Sequence, residues 1–158
     1  MLPDSPSEST VRVLRQFRII FNAVRTHFRD VERTAGIGGA QLWALAIIGN
    51  QPGIGVTELA AALDIHQSTA SNLVRALASR QLIATSQSTL DRRAICMHIL
   101  DAGSQILAAA PTPFRGVLPD ALEKMDGDRL ARLELDLAAL IEALGIKEDA
   151  GQRPLADL

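Results

Sequence analysis

Hydrophobic residues recur at helical spacing along the first part of the chain. From about Thr10 to Thr34 the apolar side chains lie three or four positions apart, and most of the arginines of this stretch fall on the other side. This spacing predicts one long amphipathic helix, which the glycine-rich residues 36–39 end. A second helix is predicted from about Ala40 to Asn50, before a Gln-Pro-Gly turn.

Two short helices joined by a tight turn are predicted in the middle of the chain. Thr57 is a suitable N-cap for the first helix, and Asp64 stands where the turn needs a residue that tolerates left-handed geometry. The second helix is predicted to begin at about Gln67 or Ser68 and to run to about Arg80. Its buried stripe is expected to comprise Leu73, Val74 and Leu77.

The period of the pattern changes after Leu82. A polar stretch at residues 86–89 is followed by an Asp-Arg-Arg sequence, and apolar residues then occupy every second position over residues 94–99. Alternation with a period of two beside a polar tip is typical of a two-stranded hairpin. The stretch Leu82–Leu100 is therefore predicted to form a small β-hairpin.

The last third of the chain is predicted to be helical. Asp101 can cap a helix that two prolines interrupt, and Asp126 or Asp128 can cap a last helix that Gly145 closes. The apolar face of this last helix comprises Leu130, Leu133, Leu137, Leu140, Ile141 and Leu144.

These elements together predict a mainly α fold with a small β-hairpin wing. Two short helices with a tight turn and a following hairpin make a winged helix-turn-helix, here over about residues 40–100. Longer helices over about residues 10–34 and 102–145 flank it. We expect one domain at 10–146, a flexible leader at 1–9 and a flexible tail at 147–158.

Composition and charge narrow the classes of function. With 158 residues, 47% of them hydrophobic, the chain can bury a sizeable core, and no apolar run approaches the ~18 residues that cross a bilayer. A single cysteine, Cys96, leaves no internal disulfide and favours the reducing cytoplasm. Residues 1–93 carry ten arginines against seven acidic residues, giving +3, whereas residues 94–158 carry six basic against eleven acidic residues, giving −5. A polyanionic partner is therefore expected to meet the first part of the chain.

The second short helix carries side chains suited to reading DNA. Asn and Gln pair well with adenine and Arg with guanine, and in a helix-turn-helix this second helix enters the major groove. The alternative is an ordinary solvent-exposed polar face, which the absence of Asp and Glu on this face makes less attractive. The candidate contact residues are Gln67, Ser68, Thr69, Ser71, Asn72 and Arg75.

The hairpin carries the second candidate contact, Asp91-Arg92-Arg93. A wing laid on the minor groove needs a cation at its tip, because that groove is narrow and negative. A neighbouring carboxylate can fix the direction of a guanidinium by a charge-assisted hydrogen bond. The alternative is a solvated turn with a surface ion pair, which contributes little.

Two segments of the chain resemble the MarR family of regulators, and the resemblance extends over nearly the whole chain. The family's helix-turn-helix is similar to VTELAAALDIHQSTASNLVRALASRQLI, and its wing and following helix are similar to DRRAICMHILDAG. The resemblance implies that Asp91 is the orienting carboxylate and that Arg93 enters the minor groove. The chain departs from the family pattern at Asn72, where Arg is common, at His66, where an Asp or Ser cap is common, and at Asp64, which replaces Gly.

The resemblance also implies a homodimer in which the first and last helices of the two subunits interleave. The broad apolar faces of these helices agree with this expectation. Two-fold symmetry would place two recognition helices about 34–36 Å apart on a palindromic operator. A small-molecule effector site between the DNA-binding lobe and the dimerisation helices is implied as well. Candidates to line it are Phe17, Phe21, His27 and Trp43, although residues at helical spacing also suit an ordinary core.

Other candidate sites are less favoured. Cys96 is a candidate oxidant sensor, but a mid-strand position without a resolving partner is more typical of a structural cysteine. His27, His66 and His98 lie far apart and lack the spacing of metal ligands. Nearby carboxylates in the last third fit a helix cap and a solvated helix face, and no nucleophile motif or phosphate-binding loop occurs. Neither an enzyme nor a cofactor is therefore expected.

The sequence thus favours a cytoplasmic, sequence-specific regulator that binds double-stranded DNA, and a repressor that a small molecule releases. The alternative is a dimeric protein-interaction adaptor with the same fold and no DNA contact, which the slightly acidic net charge of −2 and the absence of Arg at position 72 keep open.

Overall fold

A computed structural model describes residues 6–147 and 151–157 of the chain. Within these residues helices surround a small three-stranded sheet, as the predicted mainly α fold with a wing requires. The helices are α1 (Glu8–Ala35), α2 (Gly39–Asn50), α3 (Val56–Leu63), α4 (Gln67–Ser79), α5 (Asp101–Ala109), α6 (Val117–Glu123) and α7 (Gly127–Leu144), and a 3₁₀ turn covers Leu155–Asp157. The strands are β1 (Ile54–Gly55), β2 (Ile83–Gln87) and β3 (Ile95–Ile99).

Helix α1 is long and packs on the rest of the chain mainly near its C-terminal end. It begins two residues before the predicted start, because the Ser7 hydroxyl accepts a hydrogen bond from the Thr10 amide at 3.2 Å and caps the helix. Its buried residues are His27 and Val31, and its first four turns are largely exposed. It ends at Gly36, whose φ of 70° lies in the left-handed region that glycine adopts without strain.

Helix α2 is the centre of the core. Seven of its twelve residues are buried, and Leu42, Leu45 and Ile48 are wholly inaccessible to solvent. An apolar helix of this kind is covered on several sides, and α2 packs against α3, α4, α5 and β3. The two helices of the helix-turn-helix therefore pack on α2, which is itself buried.

The turn between α3 and α4 has the predicted geometry. Asp64 adopts φ 52° and ψ 49°, so the expected left-handed residue stands at the expected position. The prediction that Thr57 caps α3 is wrong, since the N-cap is Gly55, whose amide donates to the Glu58 carboxylate at 2.6 Å. The turn holds α4 in a fixed orientation, and α4 begins at Gln67.

The wing is built on a central strand, β3. It pairs with β2 from Ile83↔Ile99 to Gln87↔Ile95, and with the two-residue strand β1, which the sequence did not predict. Met97 of β3 is wholly buried, whereas Ile95 at the far end is exposed. The base of the hairpin is thus fixed in the core and its tip projects into solvent.

Gly103 lets α5 lie directly on the base of the wing. A Cβ at this position would collide with the backbone oxygen of Leu82 and would approach Ile99 Cγ1 to 2.9 Å. The glycine that follows the wing in the sequence motif is therefore explained by close packing. Asp101, the predicted cap of α5, is instead the first residue of the helix.

Helix α7 projects from the described part of the chain with no buried residue. The Asp126 carboxylate caps it by accepting from the amides of Asp128 and Arg129, and Gly145 ends it with φ 65°, as predicted. None of the helices in the described ranges is long and apolar enough to cross a membrane.

The end of the chain returns to the core. Leu155–Asp157 form a 3₁₀ turn that contacts α1 and α2, and the flexible tail at residues 147–158 stays a prediction. The apolar side chains of Pro154 and Leu155 face a cavity beside these helices, which explains why this turn packs there. The predicted leader at 1–9 includes residues 1–5, which lie outside the described residues.

Candidate nucleic-acid interface

Helix α4 has one buried face and one polar, exposed face. Ala70, Val74 and Leu77 are buried against the core. On the opposite side, Ser68, Asn72 and Arg75 lie four and three positions apart and are exposed. A recognition helix needs this division, because it must pack on its domain and present donors and acceptors to a groove.

Asn72 and Arg75 act as a pair on the exposed face. Arg75 Nη1 donates a hydrogen bond to Asn72 Oδ1 at 3.0 Å, which orients the guanidinium along the helix surface. The amide nitrogen of Asn72 remains a donor for another acceptor. A side chain with both donor and acceptor character thus occupies the position where the family commonly has Arg.

The other predicted residues of α4 lie on its flanks. Gln67 and Ser71 line a groove of about 330 Å³, together with the start of α3 and with Arg93, Ala94 and Ile95 at the outer end of the wing. Thr69 is half-buried on the side of Leu73. The structure therefore brings Gln67, Ser71 and Arg93 together around one groove and leaves Thr69 turned partly toward the interior.

The wing tip is held by short-range hydrogen bonds to its own backbone. The Ser88 hydroxyl accepts from the amides of Leu90 and Asp91 at 3.2 and 3.4 Å, and Asp91 Oδ1 accepts from the amide of Arg93 at 2.9 Å. The expectation that Asp91 fixes the guanidinium of Arg93 is therefore corrected, because the carboxylate instead fixes the backbone of the tip.

Two cations stand at this tip. Arg92 and Arg93 are exposed, and neither has a carboxylate within 4.0 Å among residues 6–147 and 151–157. Beside them Leu90 is 98% exposed, a feature that sequence reasoning missed although an apolar residue in a polar turn could have signalled it. The tip thus presents positive charge on a backbone whose conformation the hydrogen bonds of Ser88 and Asp91 hold.

A second site lies beneath the helix-turn-helix, between α1, α2 and α6. The space open to the centre of a water-sized sphere is about 60 Å³, and its walls are almost entirely apolar. Trp43, one of the candidate effector residues, lines this cavity, together with Phe28 and Leu73, which the sequence pattern does not indicate. The lining residues on the side of the helix-turn-helix are Leu63, Ile65 and Leu73.

The other predicted effector residues lie elsewhere on α1. Phe17 and Phe21 stack with ring centroids 6.2 Å apart, and Phe21 borders a groove adjoining the cavity. His27 is 9% exposed, and its Nε2 has no hydrogen-bond partner in the described part of the chain. Of the four candidate effector residues, Trp43 therefore lines the cavity itself.

The groove at the mouth of the cavity has an excess of positive charge. The adjoining groove has a volume of about 360 Å³ and is lined by Arg25, Arg29 and Glu32 together with apolar residues that it shares with the cavity. Inside, Arg115 donates to Asp120 and Glu123 at 3.3 and 2.7 Å. This arginine is therefore already neutralised, and the two arginines at the mouth outnumber the one carboxylate there.

The ion pairs of α6 stabilise one wall of the cavity. The hydrogen bond from Lys124 at 2.6 Å, with a smaller contribution from Arg115, lowers the pKa of the Asp120 carboxyl, and desolvation of this carboxyl opposes the shift. Asp120 thus stays ionised and keeps Arg115 in place at neutral pH.

The remaining candidates are dispersed. Cys96 is half-buried on β3, opposite Ser86 of β2 and Gly55 of β1. His27, His66 and His98 lie on α1, before α4 and on β3, and the described ranges hold no cluster of three metal-ligating side chains. A role of Cys96 in oxidant sensing stays a hypothesis.

Comparisons with known proteins agree with this arrangement. Residues 39–95, which contain α2, the helix-turn-helix and the wing up to the start of β3, match the family model for the MarR family. A putative transcriptional regulatory protein for the hcr operon of Thauera aromatica is 32% identical over 111 residues, which cover 70% of this chain. The match spans 62% of that relative, so the chain covers less than two thirds of its length.

Solved structures share the fold over most of the chain. A MepR-like protein complexed with pseudoligands aligns with a TM-score of 0.59 at 16% identity, covering 87% of this chain and 94% of that one. The MepR–DNA complex of S. aureus aligns with a TM-score of 0.57 at 18% identity, covering 89% and 99%. Residues 39–95 are thus similar to the MarR family of regulators, and the chain shares the fold of these solved structures over most of its length.

Proposed function

We propose that this protein is a cytoplasmic, dimeric regulator that binds a specific DNA sequence, an inverted repeat. The observation that carries the proposal is the wing tip, where Ser88 and Asp91 fix the backbone and leave Arg92 and Arg93 exposed. It stands beside the polar face of α4, so that one surface offers contacts to both grooves. The DNA complex formed by the structurally similar MepR supports this interpretation.

The exposed apolar residues support the dimer. Large hydrophobic side chains are exposed along α1 and α7, among them Leu14, Phe21, Leu140 and Ile141. Exposed apolar stretches of this kind along a helix are uncommon on monomers and mark an interface. A second copy of the chain that covers these helices would present two α4 helices and two wings to one duplex.

Selection of bound DNA from a random duplex pool tests the proposal. The purified protein is expected to enrich an inverted repeat whose half-site centres lie about 10 base pairs apart or a multiple of this, with binding that weakens steeply as salt rises. Sedimentation velocity on the same sample checks that the protein is folded and dimeric. Absence of enrichment at low salt from a folded dimer would contradict DNA binding and favour the protein-interaction adaptor.

We further propose that the protein is a repressor released by a small molecule that enters the cavity. The cavity touches Leu63 and Ile65, which flank the tight turn, and Leu73 on the recognition helix. A ligand that widens this space favours a different position of α4 from the one that fits the operator. Binding of ligand and operator is then coupled through a shift in population between the two positions.

The ligand class follows from the walls and the mouth of the cavity. An apolar body suits the interior, where the cation of Arg115 is already paired, and an anionic group suits the mouth beside Arg25 and Arg29. The pseudoligand complex of the similar MepR-like protein agrees with a ligand site in this fold. We therefore expect amphipathic organic anions to bind.

Two fluorescent probes that differ in charge test this class. Anilinonaphthalene sulfonate and the uncharged N-phenyl-1-naphthylamine are both expected to bind, and the sulfonate is expected to weaken operator affinity by roughly 5-fold or more. Changing Arg25 and Arg29 together to Ala should lower the affinity for the sulfonate about 10-fold and leave the affinity for the uncharged probe unchanged. Equal loss of both probes would contradict the assignment of the mouth.

A further inference from the structure

One side chain ties the end of the recognition helix to the corner between α1 and α2. Arg80, the residue after α4, donates from Nη1 to the backbone oxygen of Gly36 at 2.6 Å, across 44 positions of sequence. Gly36 ends α1, so its oxygen lies at the negative end of that helix. A guanidinium donor at such an oxygen makes a charge-assisted hydrogen bond, which is stronger and more directional than a neutral one.

The backbone that carries Arg80 is itself fixed. Gln81 adopts a φ of 58°, its amide donates to Ala78 at 2.9 Å, and the amide of Leu82 donates to Leu77 at 3.0 Å. This pair of bonds around a left-handed residue is a Schellman motif, and the buried side chains of Leu77 and Leu82 supply its apolar contact. The bond from Arg80 therefore starts from a point that moves with α4.

The bond from Arg80 to Gly36 lies beyond one end of the apolar cavity between α1 and α4. Leu73 of α4 and Phe28 of α1 line the cavity, and they precede Arg80 and Gly36 by two turns, or about 10–12 Å along each helix. Apolar side chains that line a cavity set no fixed direction between the two helices. The bond from Arg80 to Gly36 is thus placed to act as a pivot between α1 and α4.

We propose that Arg80 is a positioning residue that sets the angle between α4 and α1, and thereby the spacing of the two half-sites that a dimer reads. This inference rests on the proposed function. Helix α4 has 13 residues, so its reading end lies about 20 Å from Arg80. A rotation of about 10° around this pivot moves the reading end by about 3.4 Å, which is one base-pair step.

The test uses a duplex pool in which the half-sites selected by the wild type are kept and the spacer varies by single base pairs. Arg80→Met keeps an apolar stem and removes the donor. It is expected to lower the enrichment of the best spacer over its neighbours by roughly 5-fold or more, with base preference inside each half-site unchanged. Arg80→Lys restores a cationic donor and should recover part of the preference.

Arg33→Ala is the matched control. It removes the same charge from the last turn of α1, where Arg33 pairs with Asp30 at 3.2 Å. Its spacing profile should equal that of the wild type. Arg80→Gln, whose amide is too short to reach Gly36, replaces Arg80→Met if that variant does not dimerise.

The outcomes separate the two proposals. A wild type that enriches a spacer and an Arg80→Met variant with the same profile would overturn the role of Arg80 alone. A wild type that enriches no duplex would overturn the proposed function. Loss of thermal stability without any change in the spacer ratio marks Arg80 as merely structural and also overturns the inference.

Discussion

Arg93→Ala is expected to weaken operator binding about 100-fold while the dimer persists. A dimer has two wings, and about 1.4 kcal/mol of binding free energy removed at each corresponds to two factors of ten in affinity. The substitution breaks no ion pair in the described part of the chain, since Arg93 has no carboxylate within reach there. The bond from Asp91 reaches the amide of residue 93, which alanine retains, so the tip keeps its shape.

Titration of the selected duplex at several salt concentrations measures this effect. Removing a cation that meets the sugar-phosphate backbone reduces the slope of log affinity against log salt by about 1 for each phosphate that is no longer neutralised. Arg33→Ala, which carries the same change of charge away from the wing, should bind like the wild type. An unchanged affinity for Arg93→Ala, in a protein that binds DNA, would remove the wing from the mechanism.

Local pattern is enough to predict the elements that short-range physics determines. Asp64 is predicted at the left-handed turn because few residues tolerate that conformation, and its φ is 52°. Asp126 and Gly145 are predicted at the two ends of α7 because each satisfies backbone groups that the helix leaves unpaired. These features depend on neighbours within four positions, so the sequence window contains their cause.

The local sequence pattern does not predict features that depend on residues far away in the chain. Strand β1 has two residues and exists only because β3 pairs with it from more than forty positions away. Thr57 has the right chemistry for a cap, but chain direction after β1 makes Gly55 the cap. The turn Leu155–Asp157 packs where α1 and α2 leave apolar surface, which no local period records.

In the candidate site as well, some features follow from local sequence pattern and others depend on the fold. The six polar residues of α4 can be chosen from helical spacing, yet only the groove shows that Gln67 and Ser71 face Arg93 while Thr69 turns inward. Asp91 is predicted to pair with a guanidinium because opposite charges are visible in sequence. Its bond to a backbone amide depends on the conformation of the turn, which a pattern of charges does not reveal.

Leu137→Glu is expected to convert the protein to a monomer and to weaken operator binding by ~100-fold or more. Leu137 lies at the middle of the apolar stripe of α7, a helix with no buried residue in the single chain. A carboxylate there would have to be buried without a partner when two copies associate. A dimer that contacts two half-sites at once binds about 10²–10⁴-fold more tightly than a monomer that contacts one. The monomeric variant is therefore expected to lose this factor in affinity.

Leu135→Glu gives the matched control on the same helix. Leu135 is 72% exposed, more than Leu137 at 36%, but it stands two positions away and so points to the opposite side of α7. The same substitution there should leave both the sedimentation coefficient and operator affinity near wild-type values. A Leu137→Glu protein that stays dimeric, or two variants that dissociate equally, would show that this stripe is not the interface. Dissociation of Leu137→Glu alone, with loss of operator binding in parallel, would tie DNA recognition to the pairing of α7 with a second copy of the chain.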